Sequence, residues 1–168
     1  MASVLTDQVL RAKLMAPVVG LTTSAQVVQF ATVPPFGQSG NASVSIPGTN
    51  RLSNLFRVRA QGKSTLVGTT TVTLTLFLDG VSLGTLVSAS ATGSDTFSLS
   101  ADLSFESATL PIRGVMSGWY GVTLKANTAT SATTVDLTAE GHLLTLSVTA
   151  GAADAGSVTV SEFSLEVL

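Results

Sequence analysis

The sequence predicts an all-β protein, an antiparallel β-sandwich or jelly roll of about eight strands with an extended N-terminal arm. The first observation is the segment 69–86, in which Leu74 and Leu76 alternate with threonines, as in a strand with one buried face. The second is the pair Asp79-Gly80, because both positions of a two-residue hairpin turn need positive φ. Further alternating segments, separated by turns that contain Gly and Ser, favour a sandwich.

We divide the chain into an N-terminal arm, residues 1–50, and a β-sandwich (jelly-roll) body, residues 51–168. Residues 14–50 contain no charged side chain and hold four of the five prolines. Because proline is excluded from central strands, the arm is expected to be extended, with at most one short strand around 26–32. Ahead of this segment, residues 6–15 are compatible with a short helix capped by Thr6.

The arm either packs on a neighbouring subunit or wraps its own body, and the sequence leaves both alternatives open. An uncharged apolar arm is poorly suited to water, so its apolar and proline side chains are candidates for a contact with a partner. In the first alternative, deletion of residues 1–36 leaves a folded body that no longer assembles. The candidate contact residues are Val18, Val19, Leu21, Val27, Val28, Phe30, Pro34, Pro35 and Phe36.

The same alternation continues through the body. Residues 56–60, 97–105 and 144–148 each place apolar side chains on one parity and polar or small ones on the other. This pattern is typical of antiparallel strands that are buried on one face.

The last strand changes parity, since Val160 lies on one parity and Phe163 on the other. A strand that keeps one face buried cannot change parity unaided, because a one-residue slip turns every side chain over. We therefore predict a β-bulge or a break at Ser161-Glu162.

The composition restricts the possible partners. Charged residues are 11% of the chain, the net charge is -2 and the eight basic residues are scattered. Phosphate binding needs clustered Lys and Arg, so we expect no nucleic-acid partner. Without a run of about 18 to 20 apolar residues we expect no membrane partner.

The surface is expected to be neutral and rich in hydroxyl groups. Either other subunits cover part of it, or threonine is present merely because it suits exposed strand faces.

Few residues suggest catalysis. His142 is the only histidine, and with Glu140 it offers two ligands where a metal site usually has three or four. Asp102 and Glu106 share one strand face, but a glycosidase pair also needs a cleft that separates the two pKa values. We therefore predict no enzyme activity, no catalytic residues, no cofactor and no metal.

Trp119 and Tyr120 are a possible glycan platform, because aromatic faces are what carbohydrate-binding sites use. Adjacent residues on a strand point to opposite faces, so at most one of the two lies in the core.

Four strand sequences carry a resemblance to a known class of protein. They are Phe56-Arg57-Val58-Arg59-Ala60 followed by Gly62, the threonine-rich strand that ends in Leu76-Phe77-Leu78, Phe97-Ser98-Leu99, and Glu162-Phe163-Ser164-Leu165-Glu166. Together they resemble small structural proteins of tailed bacteriophages that are found among the head genes. The resemblance spans about residues 51–168 and contains no site motif.

This resemblance implies a capsid decoration, or cement, protein that bridges neighbouring capsid subunits and stabilises the head. Its implied partners are the major capsid protein and further copies of itself, often as a trimer. Its implied location is the outer capsid surface of the virion, after assembly in the host cytoplasm. The alternative is a glycan- or receptor-binding β-sandwich module, such as part of a tail fibre or a surface adhesin.

Overall fold

The computed structural model describes residues 9–11, 18–33, 55–87, 91–104, 113–121, 123–130 and 142–167. Among these residues there are eleven strands and no helix, so the all-β prediction is confirmed. The strands are β1 (Val9–Arg11), β2 (Val18–Val19), β3 (Gln26–Val33), β4 (Leu55–Thr70), β5 (Val72–Leu78), β6 (Val81–Val87), β7 (Ala91–Ser104), β8 (Arg113–Tyr120), β9 (Thr123–Thr130), β10 (His142–Ala150) and β11 (Gly156–Val167).

The strands form two antiparallel sheets. The large sheet has the order β1-β11-β4-β7-β8-β9, with β2 also pairing with β11, and the small sheet has the order β3-β10-β5-β6. The pairs are nested along the chain: β5 with β6, β4 with β7, β3 with β10, and β1 and β2 with β11. This nesting is the jelly-roll arrangement, to which the hairpin β8-β9 is added at the β7 edge of the large sheet.

One hydrophobic core lies between the sheets. In β5 the alternation predicted from the sequence is exact, since Val72, Leu74, Leu76 and Leu78 are at most 2% exposed while the residues between them are half-buried. The large sheet contributes its own inward residues, including Val58, Leu99 and Phe163. Period-two patterning therefore predicts which face of these strands is buried.

The hairpin of β5 and β6 has the turn that its sequence predicts. Asp79 has φ 49° and Gly80 has φ 80°, as both central residues of such a turn require. The Leu143 backbone N–H also donates to Asp79 Oδ1 at 2.7 Å, and the Asp79 N–H donates to the Leu143 carbonyl at 2.9 Å. The turn is thereby tied to β10.

The predicted β-bulge is confirmed in β11. Val160 pairs with Gly62 and Glu162 with Gln61, so Ser161 is the extra residue on β11. The inserted residue restores the inward parity, and both Val160 and Phe163 are buried.

Within residues 9–11 and 18–33, the structure differs from the prediction in two further strands, β1 and β2. Residues 9–11 form strand β1, not part of a helix, and pair with β11. The reason is tertiary, because a strand at this position satisfies its backbone against the edge of β11, whereas a helix would leave that edge uncovered. Strand β3 matches the one short strand expected there.

The described parts of this segment lie against their own body. Leu21 is fully buried in the core, its N–H donates to the Gly156 carbonyl at 3.1 Å, and its carbonyl accepts from the Ala155 N–H at 3.2 Å. With β1, β2 and β3 all paired to strands of the same chain, these residues follow the second alternative. Deletion of residues 1–36 would therefore remove strands of the body itself.

None of the described residues belongs to a helix long and apolar enough to span a membrane.

Candidate functional site

Trp119 and Tyr120 point to opposite sides of the large sheet, as their adjacency on β8 requires. Trp119 is 51% exposed and Tyr120 is 5% exposed. Of the predicted aromatic pair, only Trp119 offers a face to a ligand, and Tyr120 belongs to the core.

Tyr120 holds β8 in place through its contacts in the core. Its hydroxyl is hydrogen-bonded to the hydroxyl of Ser64, which is also buried. Its ring stacks on Phe97 with 6.4 Å between the ring centroids. Burial is the main reason why the pKa of Tyr120 is raised above its usual value. The core contacts of Tyr120 thus hold the backbone from which Trp119 projects.

Beside Trp119 lies an open groove of about 360 Å³ on the outer side of the large sheet. This volume is at the lower end of the range of about 300–1,000 Å³ found for small-molecule sites. The groove is lined by Gln61, Gly62, Thr96, Phe97, Ser98, Trp119 and Ser161.

Strand order brings these residues together. Trp119 pairs with Ser98 of β7 and Ser98 with Gln61 of β4, while the bulge at Ser161 lies opposite Gln61 on β11. The row crosses three strand spacings, or about 14 Å at 4.8 Å per spacing. Trp119 therefore lies at one end of the groove and the bulge at the other.

Gly62 permits this packing under the groove. A Cβ atom at position 62 would overlap the ring of Phe97 and the carbonyl oxygen of Thr159. Glycine in a strand often marks such a close approach, and here it gives Phe97 room below β4. The groove thus lies above a close-packed aromatic residue.

The polar side chains of the groove are neutral. Gln61 carries an amide that can donate and accept, and the hydroxyls of Thr96, Ser98 and Ser161 can do both. The Ser161 hydroxyl donates to the Gln61 carbonyl at 3.2 Å, which ties the bulge to β4. A half-exposed indole beside several neutral donors and acceptors can bind a ligand that has an apolar face and many hydroxyls.

Further along the same outer face, two pairs of charged side chains link neighbouring strands of the large sheet. Arg57 binds Asp102 through two contacts, Nε–Oδ1 at 2.6 Å and Nη2–Oδ2 at 2.9 Å, and Arg59 Nη2 lies 3.6 Å from Glu166 Oε2. The hydrogen bond from Arg57 lowers the pKa of Asp102. A general acid needs a raised pKa, so Asp102 lacks that property. Glu106, the other carboxylate on that strand face in the sequence, lies outside the described residues.

The outer face of the small sheet has a different chemistry. Thr73, Thr75 and Phe77 on β5 lie opposite Thr149, Ser147 and Thr145 on β10, and residues opposite each other share a face. We call the outward side chains of the small sheet the neutral face. Its members are Val27, Thr73, Thr75, Phe77, Thr85, Val87, Leu143, Thr145, Ser147 and Thr149.

The two outer faces therefore differ in charge. Within the described strands, the outward charged side chains that we identify belong to the large sheet, and the described side chains of the neutral face include none. The charged set is Arg57, Arg59, Lys63, Asp102, Glu162 and Glu166.

The candidate arm contacts whose side chains the structure describes do not form one patch. Val18 and the 72% exposed Val19 lie on β2 beside the large sheet, while the 44% exposed Val27 lies on β3 of the small sheet. Leu21 is buried in the core of its own chain, so the prediction that it contacts a partner is wrong. Val28 and Phe30 lie on β3, where the structure describes only their backbone, and Pro34, Pro35 and Phe36 lie outside the described residues.

His142 begins β10, and Glu140 lies outside the described residues. In the part of the chain that the structure describes, no three His, Asp or Glu side chains are grouped so that they could hold a metal ion.

The sequence analysis did not single out Gln61, Thr96 and Ser98 as site residues. The parity change in β11 located Ser161, but only as the site of a bulge. The missing information is lateral strand order, because residues of β11, β4, β7 and β8 are far apart along the chain.

No family model matches the chain, and no curated protein matches it. Among solved structures, it is similar to the CBM2 module of the evolved Dit of Lactobacillus casei BL23 phage J-1, with 9% sequence identity, 97% of each chain covered and a TM-score of 0.34. At that TM-score the likeness does not establish a shared fold or a shared function.

Proposed function

We propose that the protein is a glycan-binding β-sandwich module, without catalytic activity, whose site is the groove beside Trp119. The observation that carries the proposal is the 51% exposed indole of Trp119 at one end of a groove lined by neutral hydroxyl and amide groups. Sugar rings have an apolar C–H face that stacks on an indole, and hydroxyls that exchange hydrogen bonds with Ser, Thr and Gln side chains.

The rigidity of the site supports the same proposal. The groove is built on four paired strands, with Tyr120 and Phe97 packed below it. A preformed site loses little conformational entropy when a ligand binds. The groove is therefore suited to a ligand that contributes few strong contacts.

A glycan array tests this function with the full chain, the Trp119→Ala variant and the Val115→Ala variant. Val115 is a matched control, because it is 56% exposed on the same face of the same strand. We expect the native protein and Val115→Ala to bind the same glycans and Trp119→Ala to lose them. Absence of glycan binding, or equal binding by Trp119→Ala, would contradict the proposal.

A second candidate is the capsid decoration protein implied by the resemblance of the strand sequences. The neutral face favours it, because an isolated protein usually places charges on an exposed sheet face. In this role the neutral face contacts the major capsid protein or another copy, on the outer surface of a phage head.

Attachment to phage heads separates the two candidates. Stoichiometric binding to purified undecorated heads that is lost on Thr75→Lys, together with no glycan binding, would favour decoration. Thr75 lies at the centre of the neutral face, opposite Ser147 and Thr85, so a lysine there places a charge where the capsid would pack.

A further inference from the structure

We propose that the groove takes a neutral oligosaccharide of two or more sugars, lying across the strands, with Trp119 as one subsite and the Gln61–Ser161 bulge as a second. This inference rests on the proposed glycan-binding function and names the class of ligand and the residues that set its length.

The first argument is the length of the groove. Trp119 on β8 and Ser161 on β11 are separated by β7 and β4, a distance of about 14 Å. A single sugar ring stacked on the indole covers only the Trp119 end. The bulge end is reached only by a further sugar in the same chain.

The second argument is the polarity along the groove. The Trp119 end offers an aromatic face with Ser98 directly opposite on β7. The other end offers the amide of Gln61, which is exposed, and the exposed hydroxyl of Ser161. One end therefore suits the apolar face of a ring, and the other suits ring hydroxyls.

The bulge makes the second subsite possible. In a regular strand, position 161 would alternate with its neighbours and the parity of β11 would leave Phe163 outside. Because Ser161 is inserted, two residues of β11, Ser161 and Glu162, oppose Gln61 on β4. The hydrogen bond from the Ser161 hydroxyl to the Gln61 carbonyl then holds the bulge of β11 against β4.

The third argument is charge. The groove lining contains no ionisable side chain, and the nearest charges on the same face have opposite signs. Arg59 and Lys63 flank Gln61 on β4, Glu162 lies opposite Gln61 on β11, and Arg59 is paired with Glu166. An acidic glycan gains nothing from this arrangement that a neutral one lacks, since the fields of the positive and negative side chains oppose each other.

Fluorescence of Trp119 provides the test, because the chain contains one tryptophan. The full-length protein is titrated with the mono-, di-, tri- and tetrasaccharides of glucose, galactose, mannose, N-acetylglucosamine and rhamnose, and with sialyllactose as the acidic probe. The same titrations are made with Gln61→Ala and with Ser100→Ala. Ser100 is the control, since it lies on the outer face of β7 one row away from the groove.

We expect at least one neutral series in which the trisaccharide binds about tenfold more tightly than the monosaccharide, the gain of one or two hydrogen bonds. Gln61→Ala is expected to remove this gain, while Ser100→Ala changes neither the gain nor monosaccharide binding.

Equal affinity for one sugar and three, or no effect of Gln61→Ala, would overturn the two subsites, and preference for sialyllactose would overturn the neutral ligand, while glycan binding itself stands. No fluorescence response to any of these sugars, combined with an empty glycan array, would overturn both.

Discussion

Tyr120 brings a phenol hydroxyl into the core, and Ser64 is its partner there. A buried polar group that loses its partner costs more than the bond itself contributes, because the remaining group stays desolvated. The pair is therefore an internal constraint on where β8 lies relative to β4.

A double-mutant cycle measures this constraint. Tyr120→Phe and Ser64→Ala are each expected to lower the free energy of unfolding by about 1–3 kcal/mol. The double variant should lose less than the sum, since no unpartnered hydroxyl remains. Urea unfolding gives the three values, and strict additivity would mean that the two hydroxyls do not interact.

The Arg57–Asp102 pair predicts a dependence of stability on pH. The pKa of Asp102 is lowered in the folded protein, so the charged carboxylate stabilises the fold above the unfolded pKa of about 3.9. This contribution is lost as the pH falls through the lower folded value.

We therefore expect Asp102→Asn to lower the Tm slightly at pH 7 and to leave it unchanged in acid below the folded pKa. The effect is small, because both side chains are partly exposed to solvent. Added salt should reduce it further. A Tm difference that persists unchanged into strong acid would show that the carboxylate charge is not its cause.

Among the elements, the short segment after β2 has more effect than its length suggests. Leu21 is fully buried in the core and its backbone bonds bridge to residues 155 and 156. Removal of a buried leucine side chain leaves a cavity that the surrounding structure fills only in part.

Leu21→Ala is expected to cost about 2–5 kcal/mol of unfolding free energy. The matched control is Val19→Ala, two residues earlier and 72% exposed, which should stay within about 0.5 kcal/mol of the native protein. Chemical denaturation of both variants decides the point. Similar small losses would mean that residues 18–21 do not belong to the folded body.

The elements also show what the sequence can predict. The hairpin of β5 and β6 was predictable because Asp79-Gly80 is a local signal, and the bulge was predictable because parity is a property of one strand. Strand β1 was not, since its pairing with β11 depends on a segment far along the chain. Competition between a local helix signal and a distant edge is decided by tertiary contact.

The same distinction holds for the site. Adjacency alone predicted that Trp119 and Tyr120 face opposite sides, but not which of them is exposed. Gln61, Ser98 and Ser161 became neighbours of Trp119 only through the lateral order of four strands. No local pattern in the sequence carries that order.

For the molecule as a whole, the contrast between the two outer faces makes a prediction about assembly. A neutral sheet face has weak protection against association, whereas the large sheet carries charges of both signs. If copies associate, the neutral face is the expected contact.

Thr75→Lys and Thr145→Lys are expected to shift the protein toward monomer in size-exclusion chromatography with light scattering. Ser100→Lys on the large sheet should leave the mass unchanged. The trimer implied by the resemblance corresponds to three times the 17.0 kDa chain mass. An assembly that survives both changes on the neutral face would have to use another surface.

The nested pairing of the strands also governs how the chain reaches this fold. β11 lies between β1 and β4, so the large sheet is incomplete until residues 156–167 have left the ribosome. Long-range pairings of this kind are slow to form, typically in milliseconds to seconds. During synthesis, β4 is therefore left with one edge uncovered, and Arg57, Arg59 and Lys63 on its outer face place charges beside that edge.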